Sequence, residues 1–265
     1  MGGAERAERK RKQQAAQAAR ATSVATRADK RVSRGAVGVA ILALVALLVG
    51  GGFWLQSRSN SGDLPATIPV AAAGPAYPVA VEGHAVVAGQ VVAGQIDAPV
   101  TIDVYEDFLC SGCGQFEQLY GDQLADAAAA GHARVVYHPV AILDENSEPP
   151  GYSTRAAGAA LCAAEAGVFP RFHDSLFDTQ PRGGGPGWTS SQLQQLGGAL
   201  GAGEGFARCV PSSGDRVAAA TDQARQYVSG LRPDGRFGTP TVLVDGAVVD
   251  TGEPGWLDEA LGAAR

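Results

Sequence analysis

Apolar and polar positions divide the chain of 265 residues into stretches with different periods. Ala36 to Leu55 holds no charged residue, and Ile41 to Val49 is an unbroken run of Ile, Leu, Val and Ala. Its length matches the roughly 20 apolar residues a helix needs to cross a bilayer, so residues 35–55 are predicted to form one transmembrane signal-anchor helix. From Gln56 to Val81 the pattern dissolves into Ser, Asn and Gly with Pro65, Pro69, Pro75 and Pro78. Such a composition predicts an extended linker over residues 56–82.

Strand and helix periods follow. His84 to Val92 reads as an edge strand or hairpin, and Val100 to Tyr105, rich in β-branched and aromatic residues, as a strand. From about Cys113 to Ala130, Phe116, Leu119, Tyr120 and Leu124 recur at helical spacing, with Gly131 as the stop. Ala133 to Ala141 is a second strand, so strand, helix and strand form one βαβ unit with a parallel pair. Tyr152 to Gly230 then turns helical, with helices expected over Ala156–Gly167, Pro170–Thr179, Thr189–Gly197 and Asp215–Val228. Strands return in Thr241 to Asp250, where Asp245-Gly246 between two apolar runs predicts a tight hairpin. A last helix is expected from Trp256 to Ala264. Helices that interrupt a strand pattern which later resumes define an α/β domain, residues 83–265, with a helical insertion at about 150–232.

Charge changes the picture of the N-terminus. Residues 1–34 carry 10 Lys or Arg against 3 Asp or Glu, a net of +7, while the remainder carries 11 basic and 24 acidic residues, a net of −13. The basic head has no aromatic interleaving and no folded module to present it, so nucleic acid is not its expected partner. Placed just before an apolar span, it orients residues 1–34 to the cytoplasm and the acidic body to the outside. The alternative is a cleaved signal peptide; the basic region is long for one, and no small-x-small site follows directly.

All four cysteines lie beyond the span, as an oxidising exterior permits. Cys110 and Cys113 are separated by two small residues at the strand-to-helix junction, in Tyr-Glu-Asp-Phe-Leu-Cys-Ser-Gly-Cys-Gly-Gln-Phe. A cysteine at a helix N-terminus meets unpaired N–H groups and the positive end of the dipole, which favour a thiolate. One turn on, a second thiol can close a disulfide with the first. The spacing therefore suits dithiol–disulfide exchange, with Cys110 as nucleophile and Cys113 as the resolving thiol. The same spacing supplies half of many zinc sites, but Cys162 and Cys209 stand alone, and His84, His132, His138 and His173 show no paired ligand spacing. No metal or other cofactor is expected beyond the redox-active Cys110–Cys113 pair, and no histidine is assigned a catalytic role. In the inferred compartment Cys162 and Cys209 suit a structural disulfide; two buried, inert thiols are the alternative.

Two motifs carry a family resemblance. Gly94-Gln-Ile-Asp-Ala-Pro-Val-Thr-Ile followed by Asp107-Phe-Leu-Cys-Ser-Gly-Cys, and Phe237-Gly-Thr-Pro-Thr-Val-Leu-Val-Asp-Gly far downstream, resemble the two signatures of the DsbA-like branch of the thioredoxin superfamily. The resemblance covers about Val81 to the C-terminus. It implies a thioredoxin fold with an inserted helical domain, a cis Thr239–Pro240 bond beside the reactive cysteine, and contact of Thr239 and Pro240 with an extended substrate. Asp107 matches an acidic position of the motif and also suits a cap on the approach to the helix. The sequence departs from the pattern twice. Ser111-Gly112 replaces a Pro-containing dipeptide, and Val104 stands where thioredoxin-like proteins often bury a carboxylate.

The function implied is a membrane-anchored, extracytoplasmic thiol–disulfide oxidoreductase. Its expected partners are unfolded or reduced secreted proteins and, by resemblance, a membrane oxidase of the DsbB or vitamin K epoxide reductase-like type. A reductase or isomerase of the same fold, and a non-catalytic tethered adaptor with permanently bridged cysteines, are the alternatives.

Overall fold

The computed structural model describes residues 64–82 and 89–262. The basic head and the predicted transmembrane helix lie outside the described residues, as do Gly83, residues 84–88 of the expected edge strand or hairpin, and the last three residues. Among the described residues no helix is long and apolar enough to cross a membrane.

Among the described residues six strands form one mixed sheet: β1 (Val79–Glu82), β2 (Gln90–Ala93), β3 (Val100–Glu106), β4 (Ala133–Pro139), β5 (Thr241–Val244) and β6 (Ala247–Val249), in the order β1-β2-β4-β3-β5-β6. Only β3 and β4 run parallel, and α1 (Ser111–Ala129) connects them. β5 lies antiparallel on the other side of β3, with Tyr105 opposite Thr241. That pairing brings the second half of the fold beside the end of β3, where the Cys110 turn begins. The β5–β6 turn follows its sequence signature. Asp245 adopts φ 47° and Gly246 φ 83°, and the Asp245 carboxylate accepts from the Thr101 N–H at 2.9 Å.

Between β4 and β5 run α2 (Tyr152–Glu165), α3 (Phe169–Asp178), α4 (Ser190–Ala199), α5 (Glu204–Cys209) and α6 (Gly214–Leu231). The short α5 and two 3-10 turns, Asp144–Asn146 and Val210–Ser212, lacked a periodic signal because each is too short to display one. α2 buries Ala156, Ala157, Ala159, Ala160 and Ala163, side chains small enough for several elements to approach it closely. Alternation along β3 separates two cores. Ile102 and Val104 face the larger one, with Leu124 and Ala128 of α1 and most of the inserted helices. Tyr105 faces the smaller one, with Val140, Leu243, and Ala224 and Val228 of α6. The C-terminal helix α7 (Trp256–Gly262) closes on α1 through Trp256, which packs edge-on against Tyr120.

The linker expected over residues 56–82 is corrected over its described part: Val79–Glu82 is strand β1, paired with β2, and the segment before it is not an outstretched tether. Ile68 and Ala71 are buried, the Ala71 N–H donates to Ser175 Oγ at 2.8 Å, and Arg171 donates to the Ala71 carbonyl. Gln192 of α4 donates to the carbonyls of Pro65 and Ala66. Apolar side chains between the prolines, and backbone groups freed by the lack of regular structure, find partners on α3 and α4. Composition alone does not register either.

Candidate active site

Cys110 occupies the N-cap of α1 with extended backbone angles, and the Gly114 N–H donates to its carbonyl at 3.1 Å. Its thiol is half-buried, whereas Cys113, on the first turn, is buried; both are free thiols. The predicted helix start at Cys113 thus moves to Ser111, leaving Cys110 as the cap. The Thr239–Pro240 bond is cis, and Cys110 Sγ lies 3.2 Å from the Thr239 carbonyl oxygen. Gly112 permits this approach: a Cβ there would sit 3.2 Å from Pro240 Cδ.

The two sulfurs differ sharply in acidity. Cys110 is lowered to about 5, first by the hydrogen bond that the Cys113 thiol donates to it, then by the Thr239 side chain and the backbone N–H groups of Cys113 and Gly112; partial burial opposes them. Cys113 is held well above the ordinary thiol range by burial, by its bond to Cys110, and by the nearby charges of Cys110 and Glu106. The helix-terminus argument thus covers part of the effect; the neighbouring thiol supplies the largest share.

Asp107 is a structural tie. Fully buried, its carboxylate accepts from the N–H groups of Leu109, Ile142 and Leu143 and from the Ser153 hydroxyl at 2.7 Å. It fastens the cysteine turn to the chain after β4 and to α2, and burial raises its pKa despite those bonds. A second tie was absent from the motifs. Gln180, just after α3, donates through Nε2 to the carbonyls of Phe108 at 3.1 Å and Cys110 at 2.8 Å. Gly114 makes room for it, since a Cβ at that position would lie 2.4 Å from Gln180 Oε1.

Behind the sulfurs lies a charged cluster that the sequence pattern did not reveal. Val104 leaves the usual carboxylate position apolar, but Glu106, two residues on, is fully buried on the same face. Its Oε1 is 2.9 Å from His173 Nε2. Burial works against the His173 imidazolium, yet the charges of Glu106 and Glu117 and the bonds to Asp174 and Glu106 outweigh it and raise its pKa well above the ordinary value. Burial pushes the Glu117 carboxyl upward. These residues are separated by up to 67 positions in sequence, so spacing offered no clue to any of them. Cys162 and Cys209, by contrast, form the expected disulfide, with a Cα–Cα distance of 5.8 Å between α2 and the end of α5.

A parallel βαβ core, helices inserted before the last strands, and a Cys-X-X-Cys cap beside a cis-proline define a DsbA-like protein of the thioredoxin superfamily. Residues 87–261 match the family described as Thioredoxin, and the chain belongs to that family. It resembles the reduced DsbA of Mycobacterium tuberculosis at 28% identity and a TM-score of 0.53, over 67% of this chain and 100% of that one. The reduced disulfide bond oxidoreductase DsbG of the same organism is 30% identical, with a TM-score of 0.55 over 65% of this chain and 82% of that one. MdbA, a thiol–disulfide oxidoreductase from Corynebacterium matruchotii, shares the fold at a TM-score of 0.61 and 21% identity, over 71% of this chain and 92% of its own. Among curated proteins, the serine/threonine-protein kinase PknE of M. tuberculosis is 31% identical over 180 residues, 65% of this chain. The chain spans only 31% of that kinase's length.

Proposed function

We propose that the chain is a thiol–disulfide oxidoreductase working as an oxidase of extracytoplasmic proteins, with Cys110 as nucleophile and Cys113 as resolving thiol. The observation that carries this reading is the opposed acidity of the two sulfurs, Cys110 near 5 and Cys113 far above it. A client thiolate attacks Cys110 Sγ of the oxidised pair; the sulfur–sulfur bond breaks, and Cys113 leaves with the electron pair and takes up a proton. A second client thiolate then attacks the mixed disulfide, forming the client bridge and expelling Cys110 as a stabilised thiolate. Two electrons pass from client to enzyme. Stabilising the reduced form in this way makes the bridged form a stronger oxidant. The Thr239 carbonyl beside Cys110 and the adjoining Pro240 are the proposed substrate contacts. Reoxidation is assigned to a membrane quinone-linked oxidase of the DsbB or vitamin K epoxide reductase-like type.

The deciding experiment mixes the oxidised protein with reduced, unfolded ribonuclease. Stoichiometric gain of ribonuclease disulfides is expected; none, together with ready insulin reduction by the reduced protein, replaces the oxidase by a reductase. The proposed location rests on the +7 head and the uncharged run at 36–55. A reporter enzyme active only outside the cytoplasm, fused after Arg265, is expected to work; activity of only a cytoplasmic reporter overturns the topology.

A further inference from the structure

One group of metal-ligating side chains converges among the described residues. Glu106 at the end of β3, Glu117 on α1 and His173 on α3 each bring a ligand atom within 4.8 Å of the others. Two of the oxygens have no partner: Glu106 Oε2 and Glu117 Oε1 are both buried without a hydrogen bond. Burying an unpaired carboxylate oxygen is costly, and even with His173 bonded to Glu106 Oε1 these two oxygens are left without a donor. His173 is already oriented as a ligand. Its Nδ1 lies 3.2 Å from the Asp174 carboxylate, the outer-shell contact that fixes a metal-binding imidazole with its other nitrogen turned inward. Phe108, Tyr137, Phe169 and Phe177 surround the ring at centroid distances from 4.8 to 5.8 Å.

We propose that Glu106, Glu117 and His173 form a binding site for one divalent first-row cation, zinc by donor set, with Asp174 as the outer carboxylate. Binding releases the His173 proton to solvent, and two carboxylates with the neutral imidazole then balance the charge of a divalent ion. Three protein ligands with a fourth position left to water is an established zinc arrangement, with bonds of about 2.0–2.2 Å. Calcium and magnesium are disfavoured, because they take six or more oxygen ligands. The ion replaces the hydrogen bond between His173 and Glu106, and drawing the three groups onto it needs side-chain shifts of roughly 1 Å. Glu117 is the half-buried member of the three. Once seated, the ion joins the central strand, the cysteine-bearing helix and the inserted helices at one point.

The test uses the full-length protein in neutral detergent with Cys110 and Cys113 bridged, so that sulfur supplies no ligand. Equilibrium dialysis against zinc, read by elemental mass spectrometry, is expected to give one zinc per chain. Asp174→Asn should weaken binding by about 10- to 100-fold, and Glu117→Gln by more. Zinc should raise the thermal midpoint of the parent protein and leave that of Glu117→Gln unmoved. No stoichiometric zinc, or equal affinity in Glu117→Gln, overturns the site. Should Glu117→Gln fail to fold, anomalous scattering from zinc-soaked crystals of the parent protein decides: a peak among residues 106, 117 and 173 supports the site, and a peak elsewhere overturns it.

Discussion

Two regions of this chain hold a pair of cysteines, and they treat sulfur in opposite ways. At the start of α1, Cys110 is met by donors: a thiol, a hydroxyl-bearing threonine and two backbone N–H groups converge on it and favour the thiolate. Between α2 and α5, Cys162 is sunk among alanines, and Glu165 Oε2 stands 3.6 Å from Cys209 Sγ. A carboxylate there disfavours a neighbouring thiolate, although the pairing of Glu165 with Arg216 offsets part of its charge. The difference teaches that reactivity follows what faces the sulfur. A sulfur faced by donors leaves readily as thiolate, and one faced by methyl groups and a carboxylate stays bridged.

The sharpest way to break this comparison is to remove one sulfur from the reactive pair. Cys110→Ser should abolish exchange with insulin and ribonuclease while leaving the fold intact, and Cys113→Ala should trap client proteins in mixed disulfides on Cys110. If Cys110→Ala alone traps clients, the two roles are reversed.

Next in size is the loss of the other pair. Replacing both Cys162 and Cys209 with Ala opens a bridge across 47 positions, with an expected cost near 4 kcal/mol in the chain-entropy model. Urea unfolding under non-reducing conditions should show the shift in midpoint, while exchange at Cys110 continues near the parent rate. Equal loss of exchange would show that the two regions are not independent.

The smallest effect concerns pH. Because Cys110 sits near 5, its alkylation rate should fall only about two-fold from pH 7 to pH 5, whereas a thiol at the ordinary value of about 8.5 would slow about 100-fold. The sign follows from the depressed value: the ionised Cys110 stabilises the reduced fold above the ordinary thiol range, and that contribution is lost as pH falls through about 5. Thiolate absorbance of the reduced protein checks the midpoint, and a midpoint near 8.5 would remove the proposed basis of the oxidase direction.

Much of this was legible in the chain because it is local. The Asp245-Gly246 turn, the strand-to-helix junction at Cys110 and the return of strands after the helices each rest on neighbouring residues whose preferences agree. Thr239 and Pro240 were legible only through resemblance to a family, since nothing in residues 237–246 states that they face Cys110. The packing of Leu64 to Pro78 on α3 and α4 went unread for a similar reason. Its partners Arg171, Ser175 and Gln192 lie about 100 or more positions away, and prolines in a run look the same whether the segment is free or docked.

By itself, the sequence determined which cysteine lies at the N-terminus of the helix, roughly where the helical insertion begins and ends, and which residues turn the last hairpin. Backbone preference and side-chain period act within a few residues, and those features need no more. Only the tertiary structure decided how acidic Cys110 is, because the Cys113 thiol and the Thr239 side chain reach it by folding. It alone decided that Asp107 and Gln180 are ties. It also gathered Glu106, Glu117 and His173 from a strand and two helices into one buried cluster. Electrostatic interaction depends on distance in space and on the exclusion of water, and neither quantity is written along the chain.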